Sequence, residues 1–251
     1  RHVDMKLKIG DKLAIVGENG SGKTTFIKLL CRLYDPTEGK ILLNGIDITR
    51  YRYEEYFSLF SVVFQDYSLF AFPLGENVAA GLSYDAGRAR ECLMRVGLGA
   101  KLAELETGDA GAGGEDAGTE GANAGAKRVD ALSLAVGRAY DRDGIDFSGG
   151  EEQKIALARA LYKDAPFVIL DEPTAALDPL AEAAVYETFD RVVENKTSIF
   201  ISHRLSSCRF CDMIAVFDHG QIVQRGRHDE LVAQEGSKYH SLWRAQAQYY
   251  E

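Results

Sequence analysis

The chain has 251 residues, 46% of them hydrophobic and 27% charged, a balance typical of a soluble globular protein with a sizeable core. Its net charge of -9 argues against a surface built to grip the phosphate backbone, so no nucleic-acid partner is expected. No apolar run reaches the roughly 18–20 residues needed to span a bilayer, and residues 1–10 lack a signal-peptide core. Four cysteines, with Cys208 and Cys211 the only close pair, are too few for a disulfide framework or a zinc site. They are expected to be buried, reduced packing thiols on a helix.

Val3, Met5, Leu7 and Ile9 alternate with polar residues, which predicts a half-buried strand over 3–9. The chain enters that pattern at once and without a methionine, so an upstream segment is expected. A fully apolar strand over 13–16 leads into Gly17-Glu18-Asn19-Gly20-Ser21-Gly22-Lys23-Thr24, followed by Thr25 and a helical run through Phe26 and Leu30. Strand, glycine loop and helix in this order make a P-loop. Its glycines let successive backbone N–H groups face an anion, and the helix adds unpaired first-turn amides and its positive dipole end. The spacing assigns Lys23 to the β- and γ-phosphates of a nucleotide and the Thr24 hydroxyl to magnesium.

Further along, 40–48 reads as a hairpin around Asn44-Gly45, part of an antiparallel side sheet. A buried strand over 60–64 delivers Gln65 into a loop. Residues 75–163 are mostly helical in pattern, with helices over 88–96 and 148–162. Within them 107–126 is nearly all Gly, Ala, Asp, Glu and Thr, which predicts a flexible surface loop that cannot bury enough surface to order itself. Past Pro166 come a strand over 167–170, a helix over 179–193, a strand over 197–201, a short helix over 205–210 and a strand over 213–217. A hairpin at 218–221 and helices over 228–234 and 237–248 complete the chain, with His219 and His228 in structural settings. This alternation predicts parallel βαβ units. The expected fold is α/β: a P-loop NTPase core over about 1–74 and 164–251, with a mainly parallel sheet, an antiparallel side sheet and a helical subdomain inserted at about 75–163.

Two further motifs carry chemistry. The strand over 167–170 ends in Asp171-Glu172, the Walker B pattern, where Asp171 can hold magnesium and Glu172 can polarise the water that attacks the γ-phosphate. Phe147-Ser148-Gly149-Gly150-Glu151-Glu152-Gln153 opens a long helix some twenty residues before it, and small residues there expose helix-start amides.

With these motifs in this order the chain resembles, from end to end, the ATP-binding cassette (ABC) family. The resemblance implies an ATPase using ATP and Mg²⁺, with Ser148, Gly149 and Gly150 binding the γ-phosphate of ATP held by a second cassette in a head-to-tail dimer, homo- or heteromeric. It also implies that Gln65 is a magnesium ligand that senses a transmembrane partner, that Asp178 lies in a loop crossing the dimer interface, and that His203 contacts the γ-phosphate. Phe64-Gln65-Asp66-Tyr67-Ser68-Leu69-Phe70, Glu76-Asn77-Val78 and Val136-Gly137 look like the exporter branch, in which the cassette sits on the cytoplasmic face of the cell membrane. The membrane domain is then expected in the same polypeptide, upstream of Arg1, together with the aromatic residue that stacks on adenine in this family. Glu151 departs from the glutamine usual after the small residues; its carboxylate can still accept from a ribose hydroxyl, so function is expected to be retained but tuned. The competing expectation, a soluble ABC ATPase without a transport role, would call for a second cassette, a coiled-coil insert or a basic face, and the chain carries none of them.

Overall fold

The computed structural model describes residues 3–107, 129–137, 144–172, 193, 196–202 and 205–247. They divide into two compact units, Arg1–Asp66 with Asp164–Glu251 and, separately, Tyr67–Lys163.

In the first unit the strands are β1 (Lys12–Val16), β2 (Leu42–Leu43), β3 (Ile46–Asp47), β4 (Phe60–Val63), β5 (Phe167–Asp171), β6 (Thr197–Ile201), β7 (Met213–Asp218) and β8 (Gln221–Gly226). Six of them form one sheet in the order β4-β5-β6-β1-β7-β8. Its pairs are parallel except for the β7–β8 hairpin. β1, β5, β6 and β7 read as nearly continuous apolar runs because strands of a parallel sheet are buried on both faces. Leu13, Ile15, Ile169, Ile201 and Phe217 accordingly join one core cluster, with Ile27 of helix α1 (Lys23–Leu30) and Tyr56 of α2 (Tyr53–Ser58) packed into it. β2 and β3 make the separate antiparallel pair. Its turn has Asn44 and Gly45 both at positive φ, 51° and 81°, the backbone that suits the right-handed twist of a two-residue hairpin.

The strand expected over 3–9 does not form. Met5 and Leu7 do pack inward against the core cluster, but Ile9 is 78% exposed and the segment has no ladder partner among the described residues. The chain instead turns at Lys8–Asp11, where Lys8 N–H donates to the Asp11 carboxylate at 2.8 Å and Asp11 N–H to Lys8 C=O at 3.1 Å. The short helix over Leu205–Phe210 is 3₁₀ rather than α.

In the second unit α3 (Leu74–Ala79) and α4 (Ala86–Arg95) pack on the long α6 (Gly149–Lys163), with α5 (Gly99–Thr107) beside α4. Val78, Leu93 and Ile155 are fully buried in it. Back in the first unit, α7 (His228–Val232) and α8 (Lys238–Ala247) close the chain. His228 is buried, 2.8 Å from the Tyr239 hydroxyl, and burial followed by the neighbouring Arg209 lowers its pKa, in keeping with a structural histidine. All four cysteines are buried and outside any disulfide. No helix among the described residues is long and apolar enough to cross a membrane. The helix expected over 179–193 and, past Thr107, the loop expected over 107–126 lie outside the described residues, apart from Val193.

Candidate nucleotide site

β1 lies between β6 and β7 with Leu13 to Val16 wholly buried, so the strand delivers its last residue to a fixed point at the C-terminal ends of the parallel strands. The loop that follows is shaped by what it touches. A Cβ on Gly17 would sit 2.3 Å from Phe217 C=O and 2.7 Å from Ser21 Oγ, so only glycine fits. Gly20 and Gly22 take positive φ of 77° and 102°. The β7–β8 turn braces the loop from below: Gly220 N–H donates to Ser21 C=O at 2.9 Å, and a Cβ on Gly22 would lie 3.3 Å from the Gly220 Cα. Gly22 is also the N-cap of α1, with no side chain capping that helix, so its first amides remain available to an anion.

Lys23, 5% exposed, turns back over this loop and donates from Nζ to Gly17 C=O at 2.9 Å and to Glu18 C=O at 3.1 Å. Burial lowers its pKa, while Glu172 and Asp171 pull the other way. The Glu18 side chain accepts from Lys238 Nζ at 2.7 Å, and the same ammonium lies 3.5 Å from Asp218. α8 therefore holds the rim of the loop through a contact that neither residue announces in sequence.

The Walker B strand β5 ends between β4 and β6 with Asp171 1% exposed. Burial raises its pKa; a hydrogen bond from Thr24 opposes the shift and the nearby Glu172 adds to it. Its Oδ1 has no protein partner, and neither does the buried Ser21 Oγ. Glu172 has φ 52°, a left-handed backbone uncommon outside glycine and often found where a side chain is aimed at a reacting group. Its N–H is tied to Ile201 C=O at 3.0 Å.

These groups converge. A cleft of about 530 Å³ is lined by Asn19, Gly20, Gly22, Lys23, Thr24, Thr25, Gln65 and Glu172. Gly17 and Glu18 line a smaller neighbouring cavity of about 210 Å³ with Ser202 and Leu205. Thr24 hydroxyl, Gln65 amide and the Asp171 carboxylate with its unpartnered oxygen are hard oxygen donors. Among the described residues no three His, Cys, Asp or Glu side chains form a cage for a metal. A hydroxyl, an amide oxygen and one carboxylate are donors that suit Mg²⁺, which keeps waters and takes phosphate oxygens for its remaining positions.

Ser148, Gly149 and Gly150 belong to the second unit, at the start of α6. Ser148 N–H and its hydroxyl donate to Glu151 Oε2 at 2.8 and 3.0 Å, and Glu151 N–H reaches Ser148 Oγ at 3.3 Å. That reciprocal arrangement is a capping box, whose sequence signal is a serine followed three residues on by a glutamate. Tyr67 OH donates to Gly149 C=O at 3.1 Å. The sequence pattern that includes Asn77 gives no hint of its packing role: it is 1% exposed, and its amide holds Phe70 and Phe72 through bonds of 2.8 to 3.0 Å while its C=O accepts from Arg159 Nε at 2.8 Å. Asp178 and His203 lie outside the described residues.

Residues 1–175 match the family model described as ABC transporter. The chain belongs to the ABC transporter family. It is an ABC-type ATPase. Its relatives include an ATP-dependent lipid A-core flippase of Burkholderia orbicola, 37% identical over 98% of this chain, and the subtilin transport ATP-binding protein of Bacillus subtilis, 37% identical over 92%. The chain spans 37% and 34% of the lengths of these two relatives. Among solved structures, a bacterial Atm1-family ABC exporter with ATP bound superposes with a TM-score of 0.78 at 32% identity, covering 95% of this chain and 37% of that one.

Proposed function

We propose that this ABC ATPase powers export of a substrate across a membrane. Two cassettes associate head to tail with two ATP molecules between them, on the cytoplasmic face, and transmit closing and opening to membrane helices expected upstream of Arg1 in the same polypeptide. The observation that carries the reading is the convergence of Lys23, Thr24, Gln65 and Glu172 on one cleft, with Asp171 Oδ1 left without a protein partner beside it. The relatives named above, a flippase and a transport ATP-binding protein, support the export direction.

In this reading the amides of Gly20 to Thr24 cradle the phosphates, and Lys23 leaves the loop carbonyls to meet the β- and γ-phosphates. Gly17, Glu18, Asn19, Ser21 and Thr25 shape and complete that cradle. Thr24, Gln65 and Asp171 would hold Mg²⁺, which when bound would offset charge on the phosphate oxygens. Glu172, aimed by its left-handed backbone, orients the attacking water, and His203 contacts the γ-phosphate. Ser148, Gly149 and Gly150 complete the partner's site, and Asp178 lies where the two cassettes meet.

Replacing Glu172 tests the assignment. Glu172→Gln keeps the side-chain shape but removes the charge that orients water, so ATP hydrolysis should fall on the order of a hundredfold or more while binding persists. Size exclusion with ATP and magnesium should then show a stable dimer. Unchanged turnover removes Glu172 from the mechanism.

A further inference from the structure

The turn of Ser148, Gly149 and Gly150 carries an anion of its own. Both donors that Ser148 offers at the start of α6, its N–H and its hydroxyl, point at a single carboxylate oxygen of Glu151. We infer that Glu151 is an internal occupant of the anion seat on this turn, and that its charge sets the ATP concentration at which two copies associate. The inference rests on the reading above in which Ser148 to Gly150 meet the γ-phosphate bound by a second copy.

Three observations support it. The contact is reciprocal, since Glu151 N–H returns to Ser148 Oγ, so the carboxylate is fixed at the turn rather than swinging free in water. Sterics do not guard the seat: Ser148 and Gly149 are exposed, and a Cβ built on Gly149 meets nothing within 4 Å. An incoming phosphate therefore meets charge before it meets bulk. It must also take both Ser148 donors from a carboxylate that already holds them, and hydrogen bonds to an ionised acceptor are the stronger kind.

Glutamine also closes a capping box, so Glu151→Gln keeps the bond from Ser148 N–H and removes only the charge. Glu152→Gln is the matched control, a carboxylate in the same first turn. The 251-residue chain carrying Glu172→Gln, so that turnover does not interfere, is titrated with Mg-ATP and its association followed by analytical ultracentrifugation. Glu151→Gln should lower the ATP needed for half-maximal association by about three- to tenfold at low salt, as expected for like charges a few ångströms apart near a surface. The gap should shrink between about 50 and 500 mM NaCl, because salt screens exposed charges and leaves a purely structural effect in place. Glu152→Gln should give a clearly smaller shift. Equal ATP requirements with and without Glu151→Gln, a gap insensitive to salt, or an equal shift from Glu152→Gln overturns the inference while leaving the dimer reading intact. Failure of every variant to associate with ATP overturns the dimer reading, and this inference with it.

Discussion

Two glycine-rich turns open helices in this molecule, and they are built on opposite terms. The turn before α1 is walled in: Gly17 has no room for a Cβ, Gly22 sits against Gly220, and Lys23 is buried over the loop carbonyls. Buried polar atoms beside it, Ser21 Oγ and Asp171 Oδ1, lack a protein partner. The turn before α6 is open to solvent, and its leading donors are satisfied by the chain's own carboxylate. A scaffold-braced seat tolerates polar groups poised for a ligand at some cost to stability. The exposed seat has one such brace, from Tyr67 to Gly149 C=O, and a local capping box fixes its leading donors.

Alanine at one glycine of each turn should separate them most sharply. Gly17→Ala forces a Cβ to 2.3 Å from a backbone oxygen of β7, which cannot swing aside as a side chain could. Overpacking of this kind costs about 1–3 kcal/mol, occasionally more, and here it also displaces the loop that carries the phosphate amides. ATP binding measured by calorimetry should be lost, together with a clear drop in the urea midpoint. Gly149→Ala meets no atom and replaces a helix-disfavouring residue, so stability should hold within about 0.5 kcal/mol or rise slightly. Equal losses at the two positions would erase the contrast.

Asp171→Asn tests whether the braced seat carries an electrostatic cost. Burial raises the Asp171 pKa above the ordinary carboxylate range. Between that range and the raised value the folded chain binds more protons than the unfolded one, so stability falls as pH rises through the window and stays lower above it. Removing the carboxylate should remove that slope. Without nucleotide, the variant should melt above the parent near pH 8, with the difference fading toward about pH 4. With Mg-ATP the order should reverse, because the parent gains about 2.7 kcal/mol at a hundred times its dissociation constant and the variant gains far less. A variant that melts lower than the parent without nucleotide at every pH would show that Asp171 stabilises the empty fold.

The braced turn was legible in sequence because its requirements are local and concentrated: an apolar strand, glycines at fixed offsets, a lysine and a hydroxyl, then a helix. The same holds for β5, whose apolar run ends in Asp171-Glu172, and for the Asn44-Gly45 hairpin. What sequence concealed depends on partners far along the chain. The alternation of Val3 to Ile9 promises a strand, but alternation reports only which side chains can face a core, and no strand among the described residues offers a ladder there. Lys238 gives no sign that it will brace Glu18, 220 positions away. Asn77 stands in a family pattern in the sequence, and the pattern does not announce that its buried amide organises the segment around Phe70 and Phe72. The Ser148–Glu151 box is the exception, since its two partners lie three residues apart and its spacing is legible beneath the glycine pattern.

The smallest expected effect is a pair of serine truncations with opposite signs. Ser148 Oγ donates to Glu151 Oε2 and accepts from Glu151 N–H, so Ser148→Ala removes a working N-cap and should cost about 0.5–2 kcal/mol, typically nearer 1. The bond from Ser148 N–H to the carboxylate survives the change, which places the cost toward the lower end. Ser21 Oγ is buried without a protein partner, and deleting an unsatisfied hydroxyl removes a desolvation penalty rather than a bond. Ser21→Ala should therefore leave stability unchanged or raise it slightly. Both variants are compared with the parent by urea unfolding without nucleotide, where one value of m across the three licenses reading midpoints as stability. A loss at Ser21 as large as that at Ser148 would show that the braced loop uses its serine hydroxyl in the empty fold. The contrast between a seat awaiting a ligand and a seat holding its own anion would then fail where it is most local.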